Sequence, residues 1–217
     1  MIVSHKYRFI FIKTVKTAGT SIETYLSGWC GDEDIVTPVD PPEPGHRPRN
    51  HAGFYNHMPG QEIRTLIGVD TWSSYFKFCF ERNPWDKMVS WYFYWKTRFN
   101  RPAVGFQEFL QQRPFPMDFD KYAIDGKIAV DFIGQYEHLL EDFRRVCGHL
   151  GIPVPEQLPH PKDSYRASRS NQPEMYTEST RNLVARECAR EIRYFGYRFG
   201  GPLDGIPSAN RIQPTAE

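Results

Sequence analysis

Twice along this chain a short, densely apolar run breaks into a polar turn and then into a helical pattern. Residues 7–12, Tyr-Arg-Phe-Ile-Phe-Ile, are rich in aromatic and β-branched side chains and read as a buried strand. A Thr/Gly/Ser cluster follows, and Thr20-Ser21 offers a helix N-cap ahead of Ile22, Tyr25 and Leu26, which recur at helical spacing. Residues 75–81, Tyr-Phe-Lys-Phe-Cys-Phe-Glu, form a second such strand, and Asn83-Pro84 supplies an N-cap with proline at the first helical position. From there Trp85, Met88, Val89, Tyr92 and Trp95 or Lys96 trace one helix face. Strand, turn, helix, repeated, predicts an α/β chain.

The remaining pattern is sparser. Residues 37–48 hold Pro38, Pro41, Pro42, Pro44 and Pro48, which no helix interior or central strand accepts, so this is a surface loop or lid. Gln61–Ile67 reads as a short helix, Asp131–Ile133 as a short strand, and Leu139–Leu150 as an amphipathic helix ended by Gly151. A polar, proline-containing loop over 153–173 precedes a last helix from Thr177 to Phe195. At 217 residues there is room for one ordinary domain, taken as 1–200, with 201–217 as a flexible C-terminal tail.

Composition excludes several classes. Hydrophobic residues at 40% and charged residues at 24% are a globular balance, not a disordered or fibrous one. No apolar run nears the ~18 residues of a membrane span, and the first residues lack a secretory h-region, so the expectation is a soluble, cytoplasmic protein with no membrane span. Cys30, Cys79, Cys147 and Cys188 lie far apart with no Cys-x-x-Cys pair, which fits a reducing compartment and supplies no zinc knuckle. A net charge of +1 argues against a nucleic-acid partner. Yet Lys6, Arg8, Lys13 and Lys16 all precede the first acid, Glu23, and predict a local positive field.

The loop from Lys13 to Ser21 joins strand to helix, a junction that aims backbone N–H groups and the positive helix end at one spot suited to phosphate or sulfate. It is no Walker A loop, because Lys16 precedes its only glycine, Gly19. Nor does a Walker B aspartate end the second strand, where Glu81-Arg82 stands. An ordinary turn with a solvated lysine is the plainer reading of the loop alone. Arg82, directly off a strand end, has a planar fork fitted to phosphate, and Ser90 lies eight residues on.

Lys16-Thr-Ala-Gly-Thr-Ser21 after a strand, and Phe80-Glu-Arg-Asn-Pro-Trp-Asp-Lys-Met-Val-Ser-Trp-Tyr92 later, resemble the two cofactor motifs of the sulfotransferases, in the branch with bacterial and Golgi carbohydrate enzymes. The likeness extends through 55–95, through Asp131-Phe-Ile-Gly-Gln-Tyr-Glu137 to Leu150-Gly-Ile152, and through Thr180–Val184 and Phe195–Phe199. It implies a mostly parallel sheet flanked by helices, in the P-loop nucleotide-kinase-like arrangement. It also implies 3'-phosphoadenosine 5'-phosphosulfate (PAPS) as sulfuryl donor, without a metal. The resemblance assigns Lys16, Thr17, Ala18, Gly19, Thr20 and Ser21 to the 5'-phosphosulfate, and Arg82 and Ser90 to the 3'-phosphate. Residues 37–48 depart from the pattern, and in 160–175 only Lys162, Tyr165 and Arg166 match loosely, with Arg166 a nucleotide contact.

Sulfuryl transfer needs a base for the acceptor hydroxyl and a cation for the leaving phosphate. Lys16 is the natural cation. The family's histidine between the motifs corresponds best to His57, which precedes Gln61-Glu-Ile-Arg64; His51 is the rival, and Glu62 and Asp70 are alternative carboxylate bases. An ordinary histidine would titrate near ~6.5. The aromatic run Trp91–Trp95 is read mainly as core, with one or two rings available to stack on an acceptor. The expected activity is sulfotransfer to a hydroxyl-bearing acceptor, a carbohydrate or glycan-like small molecule. The alternatives are a P-loop kinase-like phosphotransferase and a non-catalytic nucleotide- or sulfate-binding module.

Overall fold

The computed structural model describes residues 1–100, 103–159 and 173–200. These fall into two compact units. Residues 1–81 and 118–159 make the first, and residues 82–117 and 173–200 the second.

The first unit is built on a sheet. Its elements are β1 (Ile2–Ser4), β2 (Phe9–Phe11), α1 (Gly19–Ser27), β3 (Ile35–Val36), α2 (Gly60–Ile67), α3 (Val69–Ser74) and β4 (Phe76–Glu81). In the second unit follow α4 (Pro84–Arg98) and α5 (Phe106–Gln112). The first unit resumes with α6 (Phe119–Tyr122), β5 (Ala123–Ile124), β6 (Lys127–Ile128), β7 (Phe132–Gln135) and α7 (Leu139–Leu150); the second closes with α8 (Glu178–Glu187) and α9 (Ala189–Phe195).

The strand order is β3-β1-β2-β4-β7, and β5 pairs with β6 as a separate ribbon. β2, β4 and β7 pair parallel, with Phe9 opposite Phe76 and Phe78 opposite Phe132. β1 runs antiparallel to both β2 and β3, so it alone opposes the other four strands. The mostly parallel sheet is therefore present, with an N-terminal hairpin that the sequence pattern did not predict.

Side-chain alternation explains why both strands read as continuous apolar runs. One sheet face, Phe9, Phe11, Phe78, Phe80 and Phe132, packs with Ile22 and Leu26 of α1 and Phe143 and Val146 of α7. The other face meets α2, whose Gly60 lies so close that a Cβ there would come within 3.1 Å of Ile12 Cδ1 and 2.9 Å of the Trp72 ring. A sheet covered on both faces has no solvated side to carry polar residues. Gly151, in the left-handed conformation at φ +64°, ends α7 as expected. The proline-rich segment contains no helix or strand, and reciprocal Val36–Arg49 backbone hydrogen bonds of 3.0 Å close it into a loop.

In the second unit Asn83 caps α4 by accepting from the Trp85 N–H, with Pro84 at the first helical position. Trp85, Met88, Val89, Tyr92 and Trp95 are all buried, while Trp91, Phe93 and Tyr94 are half-buried. Tyr92 meets Phe106 and Phe109 edge-on at 5.3 and 5.4 Å. The expected last helix is two: α8, capped by a Thr177–Thr180 box, and α9, with Cys188 between them. Residues 201–217, read as a tail, lie outside the described residues. Among the described residues no helix is long and apolar enough to cross a membrane.

Candidate active site

β2 runs into a loop whose backbone leaves ordinary territory. Lys16 and Ala18 take left-handed conformations at φ +61° and +62°, which costs a non-glycine residue on the order of 1–3 kcal/mol and concentrates at ligand-holding turns. Thr14 Oγ1 donates to the Phe80 carbonyl of β4 and lies 2.8 Å from Thr17 Oγ1, so buried threonine hydroxyls brace the turn from within. Thr17 thus has its side chain committed to the loop, and Ser21 is likewise buried, whereas Lys16, Ala18 and Thr20 are half-buried.

α1 begins at least two residues earlier than a cap at Thr20-Ser21 implies. Ala18 is its cap residue, no side chain caps it, and its first turn carries no acid. Uncapped N–H donors and an unopposed helix end are what an anion requires.

Lys13 and Glu23 explain why the loop keeps its one glycine. Lys13 Nζ lies 2.6 Å from Glu23 Oε2, and both side chains are buried. The Met1 ammonium and Thr37 Oγ1 also donate to Glu23 Oε1, at 2.6 and 3.0 Å, and His46 Nε2 lies 3.8 Å away. Burial alone would raise the Glu23 carboxyl, but the Met1, His46 and Lys13 groups outweigh it and hold the carboxyl well below the usual range. The expected N-terminal positive field is therefore not uniform, since Glu23 pairs with Lys13 and offsets its charge. With its end tethered, the Lys13 stem lies over Gly19, where a Cβ would sit 2.7 Å from Cγ. Gly19→Ala should accordingly cost roughly 1–3 kcal/mol in urea unfolding, because a pinned stem cannot swing aside.

His57 joins this loop from the segment before α2. Its Nδ1 is 3.0 Å from the Lys13 carbonyl oxygen. A carbonyl only accepts, so Nδ1 carries the hydrogen and Nε2 of the neutral ring keeps its lone pair. His57 also holds a left-handed backbone, φ +63°. Burial, then the Lys13 charge, lower its pKa to about 4, well under the ordinary histidine value, so the ring is neutral around pH 7.

The rival bases stand elsewhere. His51, Glu62 and Asp70 are exposed, and Glu62 Oε2 accepts from Tyr55 Oη at 2.8 Å. Sequence reading missed Asp118, fully buried before α6, whose Oδ2 accepts the Val15 N–H at 3.0 Å and whose Oδ1 pairs with Lys121 Nζ at 2.7 Å. Nothing local in Pro114-Phe-Pro-Met-Asp118 marks it. Glu23 did carry a signal: a carboxylate beside Ile22 and Leu26 on the buried face of α1.

In the second unit Arg82 is buried and its Nε donates to Asp86 Oδ2, which fixes the plane of the guanidinium. Asp86 and half-buried Ser90 are spaced by one helical turn along α4, on one side of the helix. Asn83 Nδ2 donates to the Arg198 carbonyl at 3.0 Å, tying the motif to the chain after α9. Arg166, the remaining expected nucleotide contact, lies outside the described residues.

The sequence model described as the sulfotransferase family matches residues 1–198. The chain belongs to that family. This sulfotransferase also resembles, at TM-score 0.52 and 13% identity, the crystal structure of mouse sulfotransferase SULT7A1 complexed with PAP, over 88% of this chain and 86% of that one. That likeness establishes the shared α/β fold. A sulfotransferase from Alicyclobacillus acidocaldarius matches at TM-score 0.43 and 15% identity, over 88% of this chain and 96% of that one. An uncharacterized protein of Archaeoglobus fulgidus is 39% identical over 101 residues, 44% of this chain and 84% of that protein.

Proposed function

We propose that this sulfotransferase moves the sulfuryl group of PAPS to a hydroxyl of a carbohydrate or glycan-like small molecule, with residues 1–200 as one catalytic domain. The observation that carries the reading is the anchoring of His57 Nδ1 on the Lys13 carbonyl, which leaves Nε2 as a proton acceptor beside an anion-binding loop. In the reaction the acceptor oxygen attacks sulfur, the bond from sulfur to the 5'-phosphate oxygen breaks, and the acceptor proton passes to His57 Nε2. Lys16 and the first-turn N–H groups of α1 meet the charge that grows on the leaving phosphate, with Thr17 contributing backbone rather than side chain. Arg82, oriented by Asp86, and Ser90 take the 3'-phosphate.

PAP in the mouse relative supports this donor type. Resemblance of both motifs to the carbohydrate branch supports the acceptor class. All four cysteines are free and buried, which supports a reducing, cytoplasmic setting.

Two measurements test the reading. PAP at about 100 times its dissociation constant should stabilise the protein by roughly 2.7 kcal/mol without added metal, and labelled sulfate should pass from PAPS to a sugar in an acceptor library. Stabilisation by ATP with Mg²⁺ and none by PAP would point to a kinase; PAP binding without turnover on any acceptor would point to a binding module. Within the same assay Arg82→Ala should weaken PAP roughly tenfold or more, yet spare adenosine 5'-phosphosulfate, which lacks the 3'-phosphate. Equal losses for the two nucleotides would remove Arg82 from that role.

A further inference from the structure

The carboxylate of Asp118 is fully buried and reaches the phosphate loop across 103 residues of sequence. A buried charge is expensive unless it is paired and hydrogen-bonded. Here it bonds the N–H of Val15, the residue before left-handed Lys16, and the ammonium of Lys121. Pinning Val15 fixes the backbone where the left-handed turn begins.

We infer that Asp118 is a positioning residue of the transfer site, holding the entry of the phosphate loop through Val15 and placing its negative charge on the same short stretch of backbone, Lys13 to Val15, that His57 bonds through the Lys13 carbonyl. The inference rests on the proposed reading that His57 takes the acceptor proton. Beside the Lys13 carbonyl, which favours the protonated ring, three charged groups act on it: Lys13 from the loop and the Met1 amine ahead of β1 disfavour that form, and Asp118, ahead of α6, favours it. During transfer the ring becomes an imidazolium, so a fixed anion nearby lowers the barrier as charge develops.

Two variants of the full chain separate the two duties. Asp118→Asn removes the charge but keeps an oxygen for Val15. It should lower kcat about tenfold with the KM for PAPS within about twofold, and should move the acid limb of the kcat profile to lower pH, since the ring loses a group that favours its protonation. Asp118→Ala removes the acceptor as well, and the Val15 amide should then lose protection in hydrogen exchange while PAP binds more weakly. Wild-type kcat and an unmoved acid limb in the Asn variant overturn the electrostatic role; an equally protected Val15 amide in the Ala variant overturns the anchoring role. Hydrogen exchange needs neither donor nor acceptor. A wild-type protein that fails to transfer sulfate therefore sinks the proposed function while Val15 still reports on Asp118.

Discussion

His57→Ala is expected to lower turnover roughly a hundredfold or more while leaving PAP affinity nearly unchanged. In the proposed reaction the ring accepts a proton at Nε2, and the hydrogen bond from Nδ1 to the Lys13 carbonyl sets that orientation. The pH dependence is the sharper part of the result. An unperturbed histidine would lose half its base form near pH ~6.5. Burial and Lys13 lower the His57 pKa to about 4, so kcat/KM of the wild-type protein should stay level through pH 6.5 and fall only as the pH approaches 4. The sign follows from protonation: below its pKa the ring carries a proton and cannot take another. The Ala variant should show low activity with no such limb. His51→Ala, at an exposed position, should behave as wild type. An inactive His51 variant beside an active His57 variant would reassign the base.

Lys16→Ala should cost on the order of 3 kcal/mol in the barrier, about a hundredfold in kcat, with a much smaller change in PAP affinity. Charge at the scissile sulfur–oxygen bond grows in the transition state, whereas contacts to the 3'-phosphate persist throughout. Backbone strain does not confound the comparison, because alanine already occupies a left-handed position at Ala18 in the same loop. Lys13 cannot take over without breaking its buried pair with Glu23. Retained turnover at saturating PAPS would place the cation outside this loop.

How much of this was legible depended on the range of the interaction concerned. Tyr75–Glu81 and Tyr7–Ile12 announced themselves as strands because a sheet packed on both faces demands near-continuous apolar residues, and that demand is written residue by residue. Asn83-Pro84 and Gly151 marked a helix start and a helix end because caps are made by neighbours in sequence. The two motifs that carry the family likeness were readable for the same reason, being contiguous.

β1 escaped notice because three residues, Ile2–Ser4, become a strand only when β2 and β3 lie alongside. The start of α1 lies at least two residues before the cap that Thr20-Ser21 offered, because no side chain caps it. Which of His51, His57, Glu62 and Asp70 lies against the loop was open in sequence, since only a folded chain brings His57 Nδ1 to a carbonyl 44 residues away. Lys13 counted as one more solvated cation until folding paired it with Glu23, and Asp118 had no mark at all. By itself the sequence determined the strands, the caps and the family likeness of the two motifs, all set by neighbouring residues. Which histidine is buried against the loop, which lysine is paired with Glu23, and what anchors the loop were decided by the tertiary structure, because burial and charge pairing act between residues that meet only on folding.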